Sequence, residues 1–348
     1  MEIFWFITVS FMLAMYVILD GFDLGVGIIH RLIGKTESER TLLIKTIGPV
    51  WDGNEVWLIA AGGTLYFAFP KLYASGFSGF YLPLILVLWL LIFRAIGIEF
   101  RHQINKPKWK SFWDSVFSLA SIFLTLLFGA ALGNVIRGVP LNQEGYFFEP
   151  LWTSFTVVPD AGILDWFTVI MGLVAFSTLT SHGANYIAMK TEDELQKRAR
   201  NVAKFSWWGV LLFSVGAIMA TTVIHPDVWR NYADYPWGNI FPILGFVGLA
   251  GMFFFPTQNK DVHTFISSSI FIASMLAATA FGLFPNLLRA STDPNYSITV
   301  YNAATHDYGL SVGIVWWIFG IVLVGVYFAF LYRSFKGKVS ITSDEIGY

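Results

Sequence analysis

The chain contains no cysteine. It therefore offers no disulfide, no thiolate nucleophile and no ligand for an iron–sulfur cluster. Charge is scarce. Asp, Glu, Lys and Arg make up 13% of the 348 residues, against roughly 25% in a soluble domain. The net charge of −1 supplies no basic surface for nucleic acid. The opening Met1-Glu2-Ile3-Phe4-Trp5 lacks the basic region of a signal peptide, so the first hydrophobic segment is expected to be retained. No phosphate-binding loop, nucleophile–base motif or His-Glu-x-x-His spacing occurs, which argues against self-contained catalysis. Histidine is rare, and of the six only His182 lies well inside a hydrophobic segment. A haem needs one or two axial ligands facing a bundle interior. With no histidine pair on any segment, the chain is not expected to bind haem or a metal by itself.

What the chain has in abundance is apolar surface. It is 55% hydrophobic with a mean hydropathy of +0.61, the profile of an all-α polytopic membrane protein. A span needs about 20 mostly apolar residues. Nine segments qualify: 3–29, 49–69, 76–100, 113–136, 162–189, 206–225, 239–255, 263–284 and 309–333. Of the 22 Lys and Arg, 17 fall in the loops after segments 1, 3, 5 and 7 and in the C-terminal tail; four fall on the opposite side, and Arg94 lies within segment 3. The positive-inside rule then sets the N-terminus outside and the C-terminus in the cytoplasm. The stretches 137–161 and 285–308, rich in Pro, Asn, Asp and Tyr, read as ordered outer loops. A sequence echo, Lys35-Thr-Glu-Ser-Glu39 and Lys190-Thr-Glu-Asp-Glu194, places a Thr-x-x-Glu capping box after segments 1 and 5. It suggests two four-helix units, 1–136 and 162–284, followed by a ninth helix at 309–333, within a single transmembrane domain.

The costly residues are the informative ones. Asp20 and Asp23 lie in the inner part of segment 1, among Gly21, Gly25 and Gly27. An ionised residue at a helix centre costs on the order of 3 kcal/mol. Asp52 and Glu55 follow in the first turns of segment 2, and segment 3 brings Arg94, Glu99 and Arg101 to the same depth. Both acidic pairs have i, i+3 spacing and share a helix face. Helix-end charge is the plainer account of Glu55, Glu99 and Arg101. Asp20 lies too far from the basic loop for that account. Arg94 is expected to pair with Asp52 or Glu99. Buried carboxyls can exchange protons near neutral pH, so Asp20, Asp23, Asp52 and Glu55 form a candidate proton relay, with Arg94, Glu99 and His182 as supporting polar residues. Gly21-x-x-x-Gly25 would let another backbone approach closely.

These residues carry a family resemblance. Asp20-Gly-Phe-Asp23-Leu-Gly-Val-Gly27, Gly48-Pro-Val-Trp51-Asp52-Gly53-Asn54-Glu55-Val-Trp57, Phe93-Arg94-Ala-Ile-Gly97-Ile-Glu99-Phe-Arg101 and His182-Gly-Ala184 closely resemble subunit II of the cytochrome bd quinol oxidases. The resemblance runs along the whole chain. It implies a non-haem partner subunit of a complex that reduces dioxygen to water with membrane quinol. It implies that haems b and d sit in subunit I, and that Asp20, Asp23 and Asp52 line a proton path from the cytoplasm. It admits a structural quinone in this subunit and a small single-span partner, beside membrane quinol and lipid. Two other readings of the same acids are a proton-coupled secondary transporter, which the glycine-interrupted helices also fit, and a scaffold whose acids are helix caps.

Overall fold

The computed structural model describes residues 1–340. Its helices are α1 (Glu2–Ile33), α2 (Glu37–Ile47), α3 (Trp51–Ala68), α4 (Pro70–Gly79), α5 (Tyr81–Phe100) and α6 (Pro107–Arg137). There follow α7 (Trp166–Lys190), α8 (Asp193–Ile224), the short α9 (Arg230–Asp234), α10 (Ile240–Phe254) and α11 (Asp261–Leu283). The strands β1 (Asn286–Leu288) and β2 (Ile298–Thr299) pair antiparallel before α12 (Asp307–Ser334). Among the described residues, eight helices are long and apolar enough to cross a membrane. The eighteen-residue α3 is not one of them: it holds Asp52 and Glu55 among its apolar residues, and spans about 27 Å at 1.5 Å per residue. The apolar runs form helices because hydrocarbon leaves no other partner for backbone polar groups. Many outward-facing side chains are large and apolar, as on α12, where only Leu310 and Leu331 are buried.

At the centre, α1 packs against α3, α6, α7 and α11, and α7 against α1, α6, α8 and α11. The α1–α7 contact is a glycine crossing. A methyl group on Gly25 would overlap the Leu179 carbonyl, and one on Gly183 would overlap the Gly25 backbone. Small residues of this kind let two helix axes approach closely. The neighbour scheme occurs twice: α1 packs on α3 and α6, with α5 on α6, and α7 packs on α8 and α11, with α10 on α11.

The two ends of the bundle differ. At one end lies α2, started by the expected capping box. Thr36 Oγ1 accepts from the Glu39 N–H at 3.2 Å, and Glu39 Oε2 accepts from the Thr36 N–H at 3.0 Å. The matching box expected at Thr191 does not form. Thr191 closes α7, and its hydroxyl donates to the Ile187 carbonyl at 2.7 Å, leaving Glu192 to begin α8. At the other end, the 138–165 and 285–306 segments pack as ordered loops around the β1–β2 hairpin. Gly138 ends α6 with φ of 97°, a left-handed conformation that favours glycine. Its neighbour Val139 donates to the Arg289 carbonyl at 2.9 Å.

Candidate functional site

The acids of α1 meet donors from two other helices, α5 and α3. Arg94, on α5, is wholly buried. Its Nη1 donates to Asp20 Oδ2 at 2.6 Å and its Nη2 to Glu55 Oε2 at 3.1 Å. Asp23, one turn further along α1, accepts on Oδ2 from the Asn54 amide at 2.8 Å. Asn54 also donates to the Leu19 carbonyl at 3.3 Å, and its Oδ1 accepts from the Tyr332 hydroxyl at 2.9 Å. Two carboxyls, Asp20 and Glu55, thus share one guanidinium inside the bundle, with a third, Asp23, one turn away on the Asn54 amide. A buried cluster with more acid than base is unfavourable when fully ionised, and taking up a proton relieves it.

The expected partners of Arg94 were Asp52 or Glu99, and the structure pairs it with neither. Asp52 is exposed in the first turn of α3, one turn nearer the α2 end than Glu55. Glu99 is also exposed and lies outside the network. Five residues turn a helix through about 500°, so Glu99 faces away from the side that buries Arg94. Depth was legible from the sequence, but the direction around each helix was not. Asp20 and Glu55 meet at Arg94, Asp23 lies one turn further along α1, and Asp52 stands at the open end.

His182, on α7, sits across α1 from this cluster. Its Nδ1 lies 2.7 Å from Ser268 Oγ and its Nε2 donates to the Ile18 carbonyl at 2.9 Å. Phe265 stacks on the ring at 4.8 Å between centroids. Both ring nitrogens are therefore engaged by protein oxygens, and His182 does not fit the part of an axial haem ligand. Among the described residues, no group of three or more His, Asp or Glu side chains could hold a metal ion.

Sequence reasoning missed two further polar clusters. At the α2 end, Asp114 on α6 accepts from Arg101 Nε at 2.6 Å and lies 2.7 Å from His30 Nε2, with all three side chains buried. Arg101 also donates to Thr41 and Glu37 on α2, so the cluster ties α2 to the bundle. At the hairpin end, Arg137 donates to Asn134 at 2.6 Å, to Glu149 at 2.8 Å and to Asp165. Burial, assisted by the neighbouring Asp165, pushes the Glu149 carboxyl up to about 8 against the pull of Arg137. Apart from Asn134 and Arg137, one turn apart on α6, each cluster joins residues of different helices and loops, so no local spacing marks it. Asn54 and Tyr332 were overlooked for another reason: an amide carries no formal charge, and a tyrosine at a helix end reads as an interfacial aromatic.

The comparisons with known proteins agree with one another. The model of the family "Cytochrome bd terminal oxidase subunit II" matches residues 1–335. The chain is 31% identical to the cytochrome bd-I ubiquinol oxidase subunit 2 of Escherichia coli strain K12, over 98% of this chain and 95% of that one. It is 32% identical to a probable cytochrome oxidase subunit 2 of Haemophilus influenzae, over 96% and 94%. It is 31% identical to the cytochrome bd ubiquinol oxidase subunit 2 of Bacillus subtilis, over 88% of each chain. Among solved structures, a chain of the bd oxidase from Geobacillus thermodenitrificans superposes with a TM-score of 0.74, over 96% of this chain and 98% of that one. Its 17% identity speaks to the fold.

Proposed function

This chain belongs to the cytochrome bd terminal oxidase subunit II family, and from that premise we propose that its buried acids carry protons from the cytoplasm toward the oxygen-reducing centre of a partner subunit. As a family member it is a subunit of a quinol oxidase complex, an oxidoreductase, in a bacterial membrane. The secondary-transporter reading falls away with that membership. In this reading the haems b and d belong to subunit I, and His182, with both ring nitrogens engaged inside the bundle, is a packing residue.

The observation that carries the proposal is the acid surplus around Arg94. Oxygen reduction consumes protons, and a site buried in hydrocarbon needs a route for them. Asp52, exposed at the α2 end, is the entry. Glu55, a turn further in, is half-buried and bonded to Arg94. Asp20 and Asp23 are the innermost acceptors. The Arg94 guanidinium stays charged, orients Glu55 and Asp20 toward one another, and lowers the cost of negative charge there. The lysine and arginine distribution makes the α2 end cytoplasmic and the hairpin end periplasmic or extracellular, with α3 counted as the ninth crossing. The doubled neighbour scheme supports two four-helix units with α12 added.

The test is Asp52→Asn and Asp20→Asn in the assembled complex. The amide keeps volume and hydrogen bonding and removes the titrating proton. We expect a normal haem spectrum, with quinol oxidase turnover and charge separation across the membrane both reduced. Full turnover in both variants would make the acids dispensable. Loss of haem or of the complex would make them structural.

A further inference from the structure

Among the long helices, α12 is the one least embedded in the bundle, yet it supplies the last link of the hydrogen-bond chain to Asp23. Its α2 end rests on α3 through three aromatic side chains. Phe328 lies 5.8 Å from Trp57 between ring centroids, Tyr332 stacks on Phe328 at 6.1 Å, and a Cβ added to Gly53 would stand 3.2 Å from the Tyr327 hydroxyl. From that seat Tyr332 reaches Asn54.

The chemistry of Asn54 makes this contact directional. A carboxamide has an accepting oxygen and a donating nitrogen, and a half-turn exchanges them. The Tyr332 hydroxyl donates to Oδ1, while Nδ2 donates to the Leu19 carbonyl and to Asp23 Oδ2. With all three contacts made, Asp23 Oδ2 is held as an acceptor. Asp23 Oδ1 is buried and has no hydrogen-bond partner among the described residues. It is the oxygen left to take up a proton and pass it on. Without the phenol, the amide loses the donor that holds its oxygen away from Asp23. Turned over, its oxygen would accept a hydrogen bond from a proton on Oδ2 and so hold that proton on Asp23.

We propose that Tyr332 is a positioning residue for proton transfer: it fixes the Asn54 amide so that Asp23 exchanges its proton through Oδ1, and so makes the path depend on the seating of α12. The inference rests on the reading of Asp23 as part of the path. The groups around Asp23 are Asp20 on its own helix, Glu55 on α3, Arg94 on α5, Tyr186 on α7 and Tyr332 on α12.

The experiment is Tyr332→Phe in the intact oxidase complex, with the haem spectrum as the check on assembly. Phenylalanine keeps the ring that stacks on Phe328 and removes only the hydroxyl. We expect intact haem, an unchanged KM for quinol, kcat lowered about fivefold, the factor that one lost hydrogen bond sets, and a displaced pH profile of turnover. In an Asn54→Ala background, which has no amide to turn, Tyr332→Phe should cause no further loss, since the phenol acts on Asp23 only through Asn54. Additive losses, an unmoved pH profile or loss of haem in Tyr332→Phe would overturn the proposal. The Asp20→Asn and Asp52→Asn variants separate the two levels. If they slow turnover and Tyr332→Phe does not, the path stands and the positioning role fails; if neither set slows it, the path itself fails.

Discussion

Arg94 on α5 donates to Asp20 on α1 at 2.6 Å, and both side chains are wholly buried. The pair is asymmetric, because Arg94 has a second acid, Glu55, at 3.1 Å, while Asp20 has no second guanidinium. Removing one member of a buried pair strands the other, at a cost of about 3–5 kcal/mol. Arg94→Met strands two acids, whereas Asp20→Asn leaves Arg94 paired with Glu55. We expect Arg94→Met to lower the yield of assembled complex sharply and Asp20→Asn to leave it near wild type. Quantifying haem-loaded complex per unit of membrane checks this. Equal losses in the two variants would mean that the cluster is not held by Arg94.

Much of this site is legible in the sequence alone. Asp20 and Asp23 stood out because charge inside a hydrophobic run is costly, and the glycines beside them pointed to the tight crossing that Gly25 and Gly183 make. The apolar runs marked the long helices, since their length matches the membrane. What the sequence could not supply was azimuth. It set Glu99 and Arg94 at one depth, but the rotation of α5 turns Glu99 outward. It could not join Asp114 to His30 across 84 residues, or Tyr332 to Asn54 across 278. Contacts of that range depend on how the helices pack, and no local pattern encodes them.

Gly25→Ala tests the crossing of α1 and α7. The added methyl group would overlap the Leu179 carbonyl oxygen, a backbone atom that cannot swing aside. The helices would have to separate, carrying Asp20 and Asp23 away from their donors. Overpacking of this kind costs about 1–3 kcal/mol, occasionally more. We expect a lower thermal midpoint and a poor yield of complex. Gly62→Ala is the control, since nothing lies within 4 Å of a Cβ there. A wild-type midpoint for Gly25→Ala would show that the crossing has slack.

Orientation is open to a direct measurement. The basic residues gather at the α2 end, so a reporter active only in the cytoplasm should work when fused after Lys338. The same reporter inserted beside Gln143, in the loop at the hairpin end, should be silent. The reverse pattern would move the acid cluster to the wrong face of the membrane for proton uptake.

The last prediction concerns pH and the hairpin end. Arg137 serves two buried acids, Glu149 and Asp165, and Glu149 Oε2 has no hydrogen-bond partner among the described residues. Burial lifts the Glu149 carboxyl from an ordinary 4.5 to about 8. Between those two values the folded protein binds a proton that the unfolded chain has released. Stability from this group is therefore fully present below about 4.5 and is lost as the pH rises toward and through about 8. Glutamine mimics the protonated acid at every pH. Glu149→Gln should match wild type in Tm at pH 5 and exceed it at pH 9, the gap opening as the pH rises toward and through about 8. Thermal midpoints of the purified complex across that range, taken as the difference between variant and wild type, cancel the titration of every other group. A difference that stays constant with pH, or shrinks as pH rises, would show that Glu149 is ionised in the folded protein and that Arg137 holds both carboxylates.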